Sequence, residues 1–263
     1  RLRCDWSSDV CSSDLDATVA YIDGDDLIEE LEQLQTQGET FENIDRKIPL
    51  AQSGCKILTA NTYLGSWGIK EALDLGADIV ICPRVTDASV TMGPAAWKFN
   101  WHRDNYNALA GSLAAGHIIE CGAQTTGGNY SFFEEVPTFK NIGYPIAEIE
   151  EDGSFTITKH PGTGGLVSVG TVTAQLLYEI AAPEYLNPDV VAHFDTLKMQ
   201  QVGEDRVRIT GCRGSSPPST HKVCLNLAGG YRNGMELILT GLDIEEKAKI
   251  FTQALFDLLG GKE

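Results

Sequence analysis

Positive charge is scarce in this chain. Twenty lysines and arginines stand against 37 aspartates and glutamates in 263 residues, a formal net charge of -17. Nucleic-acid binding relies on clustered Lys and Arg that neutralise phosphates, and anionic membrane surfaces recruit polybasic segments. The composition supports neither. Long hydrophobic runs are missing too, and no uncharged apolar stretch approaches the roughly 20 residues of a membrane span. Cysteine pairs are absent: the seven cysteines contain no CxxC spacing. Five remain once Cys4 and Cys11 are set aside: Cys55, Cys82, Cys121, Cys212 and Cys224. An odd, scattered set beside apolar runs reads as reduced thiols in a cytoplasmic protein rather than a disulfide framework. No two-pair zinc spacing occurs, and no pattern asks for a cofactor.

Residues 1–15 are set aside for another reason. Asp5-Trp6-Ser7-Ser8-Asp9-Val10-Cys11-Ser12-Ser13-Asp14-Leu15 back-translates, in one frame, into a common short-read library adapter. The stretch is expected to be a sequencing artefact, with the natural start missing and residue 16 the first to reason from.

From there, apolar strand-like runs alternate with helical spacing. Residues 17–22, 55–60 and 77–82 read as strands; residues 26–35, 64–75 and 87–99 read as helices. This alternation predicts an α/β fold, with a mainly parallel sheet and flanking helices in the first half. Residues 105–121 read as one long helix. Past residue 145 the pattern becomes α+β with antiparallel hairpins. Strands 146–149 and 154–158 flank Glu150-Glu151-Asp152-Gly153, a turn signal. A helix is expected over 171–180, and strands over 196–201 and 206–210. A further strand pair, 222–227 with 235–240, is expected around a glycine-rich turn. An amphipathic helix closes the chain at 244–259. The organisation is then an α/β region over 16–145 and an α+β region over 146–263 packed on it, with a single continuous domain left open.

What the chain does have is two glycine-rich strings carrying titratable side chains. The first, residues 116–130, holds His117, Glu120, Cys121, Gln124, Gly127 and Gly128. On a helix, residues three and four apart share a face, so His117, Glu120 and Cys121 fall together. They could form an activated thiol, a packed helix edge or a metal set. The second string, residues 159–172, holds Lys159, His160, Gly162, Thr163, Gly164 and Gly165 and runs into a helix. A glycine loop at a helix N-terminus presents free N–H groups to an anion. It is neither a Walker loop nor a good dinucleotide fingerprint. It reads as an anion site or as a structural turn. Arg84 and Asp87 follow the strand at 77–82, and Asn61 and Tyr63 follow the strand at 55–60. Ligands of open α/β sheets gather at such strand ends, although capping and turn chemistry explain the same residues.

These segments together resemble the acyclic terpene utilisation (AtuA-like) family. The resemblance is carried by Ala60-Asn61-Thr62-Tyr63-Leu64-Gly65, Arg84-Val85-Thr86-Asp87-Ala88-Ser89, both glycine strings and Tyr185-Leu186-Asn187-Pro188-Asp189-Val190. Asp205-Arg206-Val207 and Gly211-Cys212-Arg213-Gly214 fit as well. It implies cytoplasmic catabolism of a branched or terpenoid acyl-CoA, or the related acid, near a biotin-dependent acyl-CoA carboxylase. It supplies no catalytic residues. Lyase, hydrolase and isomerase stay open, as does an accessory role beside carboxylase subunits. The expected partners are a small anionic substrate and those subunits, with self-association open and neither nucleic acid nor membrane involved.

Overall fold

The structure is a computed structural model that describes residues 2–4 and 17–260. The remainder of the stretch read as an adapter lies outside the described residues. The chain divides into two compact units, one ending at Leu227 and the other beginning at Ala228.

The first unit runs β1 (Leu2–Cys4), β2 (Val19–Ile22), α1 (Leu31–Thr36), β3 (Ile57–Thr62), α2 (Trp67–Asp74), β4 (Ile79–Ile81), α3 (Ser89–Lys98) and α4 (Tyr106–Ile119). It continues through β5 (Pro145–Ile149), β6 (Phe155–Lys159), α5 (Val169–Leu176), β7 (Glu184–Leu186) and β8 (Val191–His193). It ends with β9 (Lys198–Gly203), β10 (Arg206–Thr210), β11 (Arg213–Ser215) and β12 (Val223–Leu227). The second unit contains α6 (Ile244–Leu258).

Among the described residues, four small sheets form, ordered β1-β2-β4, β5-β6-β10-β9, β11-β8-β7 and β12-β3. The mixed α/β character agrees with the alternation in the sequence. The parallel pairing is narrower than anticipated: β2 and β4 pair parallel, and an isolated parallel bridge joins Leu64 to Val85. β3 instead pairs antiparallel with β12, with Thr62 opposite Val223. A local apolar run signals a strand without naming its partner, and here the partner lies far along the chain. β12 therefore does not form the anticipated hairpin with residues 235–240, which carry no strand. The β5–β6 hairpin and the β9–β10 pair form as the turn residues indicate.

α4 is the axis of the core. Its residues are buried without a break from Ala108 to Ile118, as a helix apolar on all sides must be. Two glycines permit this. A Cβ on Gly111 would run into the Gly153 carbonyl in the β5–β6 turn, and one on Gly116 would sit 2.9 Å from the Cα of Ala88, the residue ahead of α3. Leu109, Leu113 and Ile118 pack with Phe155 and Ile157 of β6 and Val207 and Ile209 of β10 in one cluster.

The loop after β7 pins this core to α2 and α3. Asp189 accepts from the backbone N–H (2.6 Å) and hydroxyl (2.8 Å) of Ser66, the residue ahead of α2. Asn187 donates to the Thr86 hydroxyl at 2.8 Å. The segment bearing Tyr185 is thus tied to the segment bearing Arg84 and Asp87.

Candidate functional site

α4 delivers His117, Glu120 and Cys121 to one place, as the helical spacing requires. His117 is 2 % exposed. Its Nε2 lies 3.2 Å from the Leu176 carbonyl at the end of α5. A carbonyl only accepts, so Nε2 carries the proton and Nδ1 presents a lone pair. That Nδ1 makes no hydrogen bond and sits 3.8 Å from Glu120 Oε2. Burial pushes the imidazole below its usual range, against the pull of the Leu176 carbonyl. Glu120 therefore faces a neutral ring, and its carboxyl is raised above the usual range by burial first and by Asp87 second. Its side chain is 25 % exposed, so solvent and a ligand can reach it. A carboxyl held above its ordinary range beside an imidazole lone pair is suited to acid–base work.

Cys121 does not fit the nucleophilic reading. Its thiol is raised above the ordinary value by burial first and then by Glu120, whose Oε1 lies 3.5 Å from the sulfur. A reactive cysteine needs the opposite, a cationic neighbour that favours thiolate. The neighbouring carboxylate and the neutral His117 supply none.

Tyr185 belongs to this cluster, and the spacing rules had no means of finding it. Its ring centroid lies 5.4 Å from His117 and 5.5 Å from Phe194. Burial, followed by the charges of Glu120, Asp87 and Glu179, pushes its hydroxyl to about 12. Glu179, just past α5, takes a left-handed φ of 60°, an uncommon conformation for a residue with a Cβ. Gln175 is fully buried, its amide acting on the Cys121 thiol but meeting no partner at hydrogen-bond geometry, and the Gln124 side-chain amide oxygen is buried and unpartnered as well. Among the described residues, no group of three or more His, Cys, Asp or Glu is placed to hold a metal ion.

The strand-end residues gather as the sequence suggested. Arg84 Nη2 donates to Asp87 at 3.3 Å, and Asp87 acts on both Glu120 and Tyr185. The Arg84 guanidinium lies 5.2 Å from the Tyr63 ring centroid, and so does the Lys222 ammonium. Asn61 does not face this ring. Its amide donates to Asp25 Oδ2 at 2.9 Å, and the same oxygen accepts the Arg84 backbone N–H at 3.2 Å. Lys222 is a residue the sequence reading passed over; β12 brings it here from the far end of the unit.

The second glycine string is built differently from the anticipated anion loop. Several of its N–H groups are already donated: Gly164 to Asn141, Gly165 to Thr138 and Leu166 to Thr126 carbonyls. Val167 donates to Asp205 and Val169 to Gln201. The Ser168 side chain caps α5 through a reciprocal pair with Thr171. Lys159 is buried, with Nζ 2.9 Å from Asp205 Oδ2 and 3.1 Å from the Thr163 carbonyl. The lysine is thus neutralised internally. Gly164 and Gly165 are required because a Cβ would meet the Thr138 carbonyl at 2.8 Å or the Thr126 carbonyl at 2.7 Å. Gly162, with φ 76°, borders open space. His160 is exposed, and its carbonyl accepts the Thr163 hydroxyl at 2.7 Å. Gly127 and Gly128 likewise close the turn after α4, against Val136 and Ala123. The two strings do touch, at Thr126 and Leu166. Even so, the loop meets the N-terminus of α5 while His117 meets its C-terminus, about 12 Å away along eight residues.

Two shallow clefts, about 310 Å³ beside Arg213 and Cys212 and about 390 Å³ beside Trp67 and Arg103, are lined by none of the His117 cluster.

With this geometry in hand, the comparison with family models is decisive. The model described as acyclic terpene utilisation family protein AtuA matches residues 7–263. The chain belongs to the AtuA family. No curated protein and no solved structure matches it. Membership places the AtuA chain in acyclic terpene utilisation. Among the described residues, no helix is long and apolar enough to cross a membrane.

Proposed function

We propose that the chain is a catabolic enzyme acting by acid–base catalysis on a branched or terpenoid acyl-CoA, or on the corresponding acid. The observation that carries this is the Glu120 carboxyl. It is held above its usual range, partly open to solvent, and faced by the lone pair of a buried neutral His117. Such perturbed groups cluster where protons are moved. In this reading Glu120 carries the proton, His117 positions it, and Tyr185 and Asp87 border the substrate. Membership of a family involved in acyclic terpene utilisation supports looking for the substrate among terpenoid-derived compounds.

The test is to incubate the chain with branched and prenyl acyl-CoA thioesters and their free acids in D2O. Mass spectrometry would follow conversion and deuterium incorporation. Turnover or exchange that vanishes in Glu120→Gln and survives in Cys121→Ser is the expected result. A folded chain giving neither with any of these compounds overturns the proposal.

A second reading, an accessory subunit in an acyl-CoA carboxylase system, draws on one observation. Phe132, Phe133, Phe139 and Tyr144 are exposed within a short stretch of the first unit. Exposed aromatics of this kind mark protein contacts. Co-purification with a carboxylase, lost when Phe132 and Phe133 become serine, would favour it.

A further inference from the structure

We infer that Tyr63, Arg84 and Lys222 form an oxyanion-binding subsite, the place where the anionic group of a ligand docks. The inference relies on the proposed function only for which ligand carries that group.

Three separated stretches of chain converge to build it. Tyr63 directly follows β3. Its backbone N–H donates to the Lys222 carbonyl at 2.9 Å, and the Thr62 hydroxyl donates to the same oxygen at 3.4 Å. These bonds fix Lys222 beside the ring although it is 160 residues from Thr62. On the other side, Leu64 N–H donates to the Arg84 carbonyl at 3.0 Å, and Thr86 N–H donates to the Leu64 carbonyl at 2.9 Å. The Arg84 N–H is bound in turn by Asp25 Oδ2, which Asn61 orients. Each cation is thus held at Tyr63 by main-chain bonds to the residues flanking the ring. Both lie 5.2 Å from its centroid, within cation–π range.

Two positive charges held at one ring raise the local potential and favour an anion there. Lys222 forms no ion pair among the described residues, and Arg84 uses a single long contact to Asp87. A guanidinium has five donors and an ammonium three, so most of this donor capacity points to no protein acceptor. In a chain with 37 acidic side chains, two cations held at one ring and open to solvent with so little matching charge mark a place for an anion. A carboxylate or phosphoryl oxyanion fits it, accepting from Arg84 and Lys222 together. The subsite also borders the proposed chemistry, because Arg84 binds Asp87 and Asp87 acts on Glu120. The glycine loop is less suited to this purpose, since Lys159 and the N–H groups of Gly164, Gly165 and Leu166 are spent internally.

The subsite is tested on the full chain by calorimetric titration at low salt. The probes are inorganic pyrophosphate for a phosphoryl source and 3-methylbutanoate for a carboxylate source. Saturable binding of at least one probe is expected, weakened at least tenfold in Arg84→Gln and in Lys222→Gln and unchanged in Lys159→Ala. Tyr63→Phe should bind as the parent does, and Tyr63→Leu more weakly. Tighter binding of pyrophosphate assigns the subsite to a phosphoryl group, and tighter binding of the carboxylate to an acid. No saturable binding of either probe, or equal binding by the parent and both cation variants with unchanged melting temperatures, overturns the inference. The readout needs no turnover. Oxyanion binding without catalysis removes the proposed function and leaves the subsite, and catalysis without oxyanion binding does the reverse.

Discussion

Glu120 and His117 sit in environments that cost stability, and the signs differ. The Glu120 carboxyl is raised in the folded chain. Its stabilising share is therefore whole below the ordinary value of 4.5 and is lost as pH climbs through the raised value, where the unfolded chain has already released the proton. His117 is lowered. Above its ordinary value of 6.5 both states are neutral; as pH falls below that, the unfolded chain gains a proton the folded chain refuses, and stability drops. Glu120→Gln removes the first penalty. Its melting temperature should exceed the parent's at pH 7.5 and match it near pH 4.5, while activity is lost. Melts at the two pH values decide this, and a variant less stable at pH 7.5 would show that the charged carboxylate is structurally needed. Gln175 makes the same case without charge. Its amide is buried and meets no partner at hydrogen-bond geometry, a condition costing about 1–3 kcal/mol for each unsatisfied group. Gln175→Leu should be more stable than the parent in a urea titration. If it unfolds more readily, an acceptor or donor for the amide exists in the folded chain.

At the scale of elements, the helices were the most legible. α2, α3, α4 and α6 fall inside the stretches where apolar spacing put them, and α5 starts two residues ahead of its expected 171–180, because that pattern is local. Sheet partners were less so. The run that became β3 was evident, but its pairing with β12 depends on residues distant in sequence. Lys222 was therefore overlooked, whereas Arg84 and Asp87, three residues apart, were found. The second glycine string stayed open between an anion site and a structural turn for a related reason. Glycines ahead of a helix look alike whether they admit a ligand or a neighbouring backbone, and here Asp205, from the turn between β9 and β10, takes up the lysine. Lys159→Ala would leave that carboxylate facing the loop unpaired. Breaking a buried pair from one side costs about 3–5 kcal/mol, so the variant should lose stability by denaturant titration. A variant of parental stability would show that the lysine is not a structural partner of Asp205. Gly111→Ala tests the core axis in the same experiment. The added methyl meets the Gly153 backbone, which cannot rotate away, and overpacking of this kind costs about 1–3 kcal/mol.

Over the whole molecule, the distribution of burial separates what holds the fold from what does not. The main core is drawn entirely from the stretch between Ala88 and Cys212, and it joins elements from both regions that the change in sequence pattern distinguished. No residue of α6 is buried, and residues 228–240 form neither helix nor strand. Stability in a protein is local, and protease cuts first where few contacts must open. Brief trypsin treatment should therefore cleave at Arg232, which lies in that stretch, before it cleaves at Arg206 or Arg208, whose guanidinium groups pair with Glu148 and Glu150 on the neighbouring hairpin. The large fragment should retain the cooperative melt of the parent, since none of its core residues lies beyond the cut. It should also keep the oxyanion subsite, because Tyr63, Arg84 and Lys222 all precede Arg232. Early cleavage within residues 206–208, or a fragment that melts without a cooperative transition, would mean that the segment beyond Leu227 is needed to hold the first unit together.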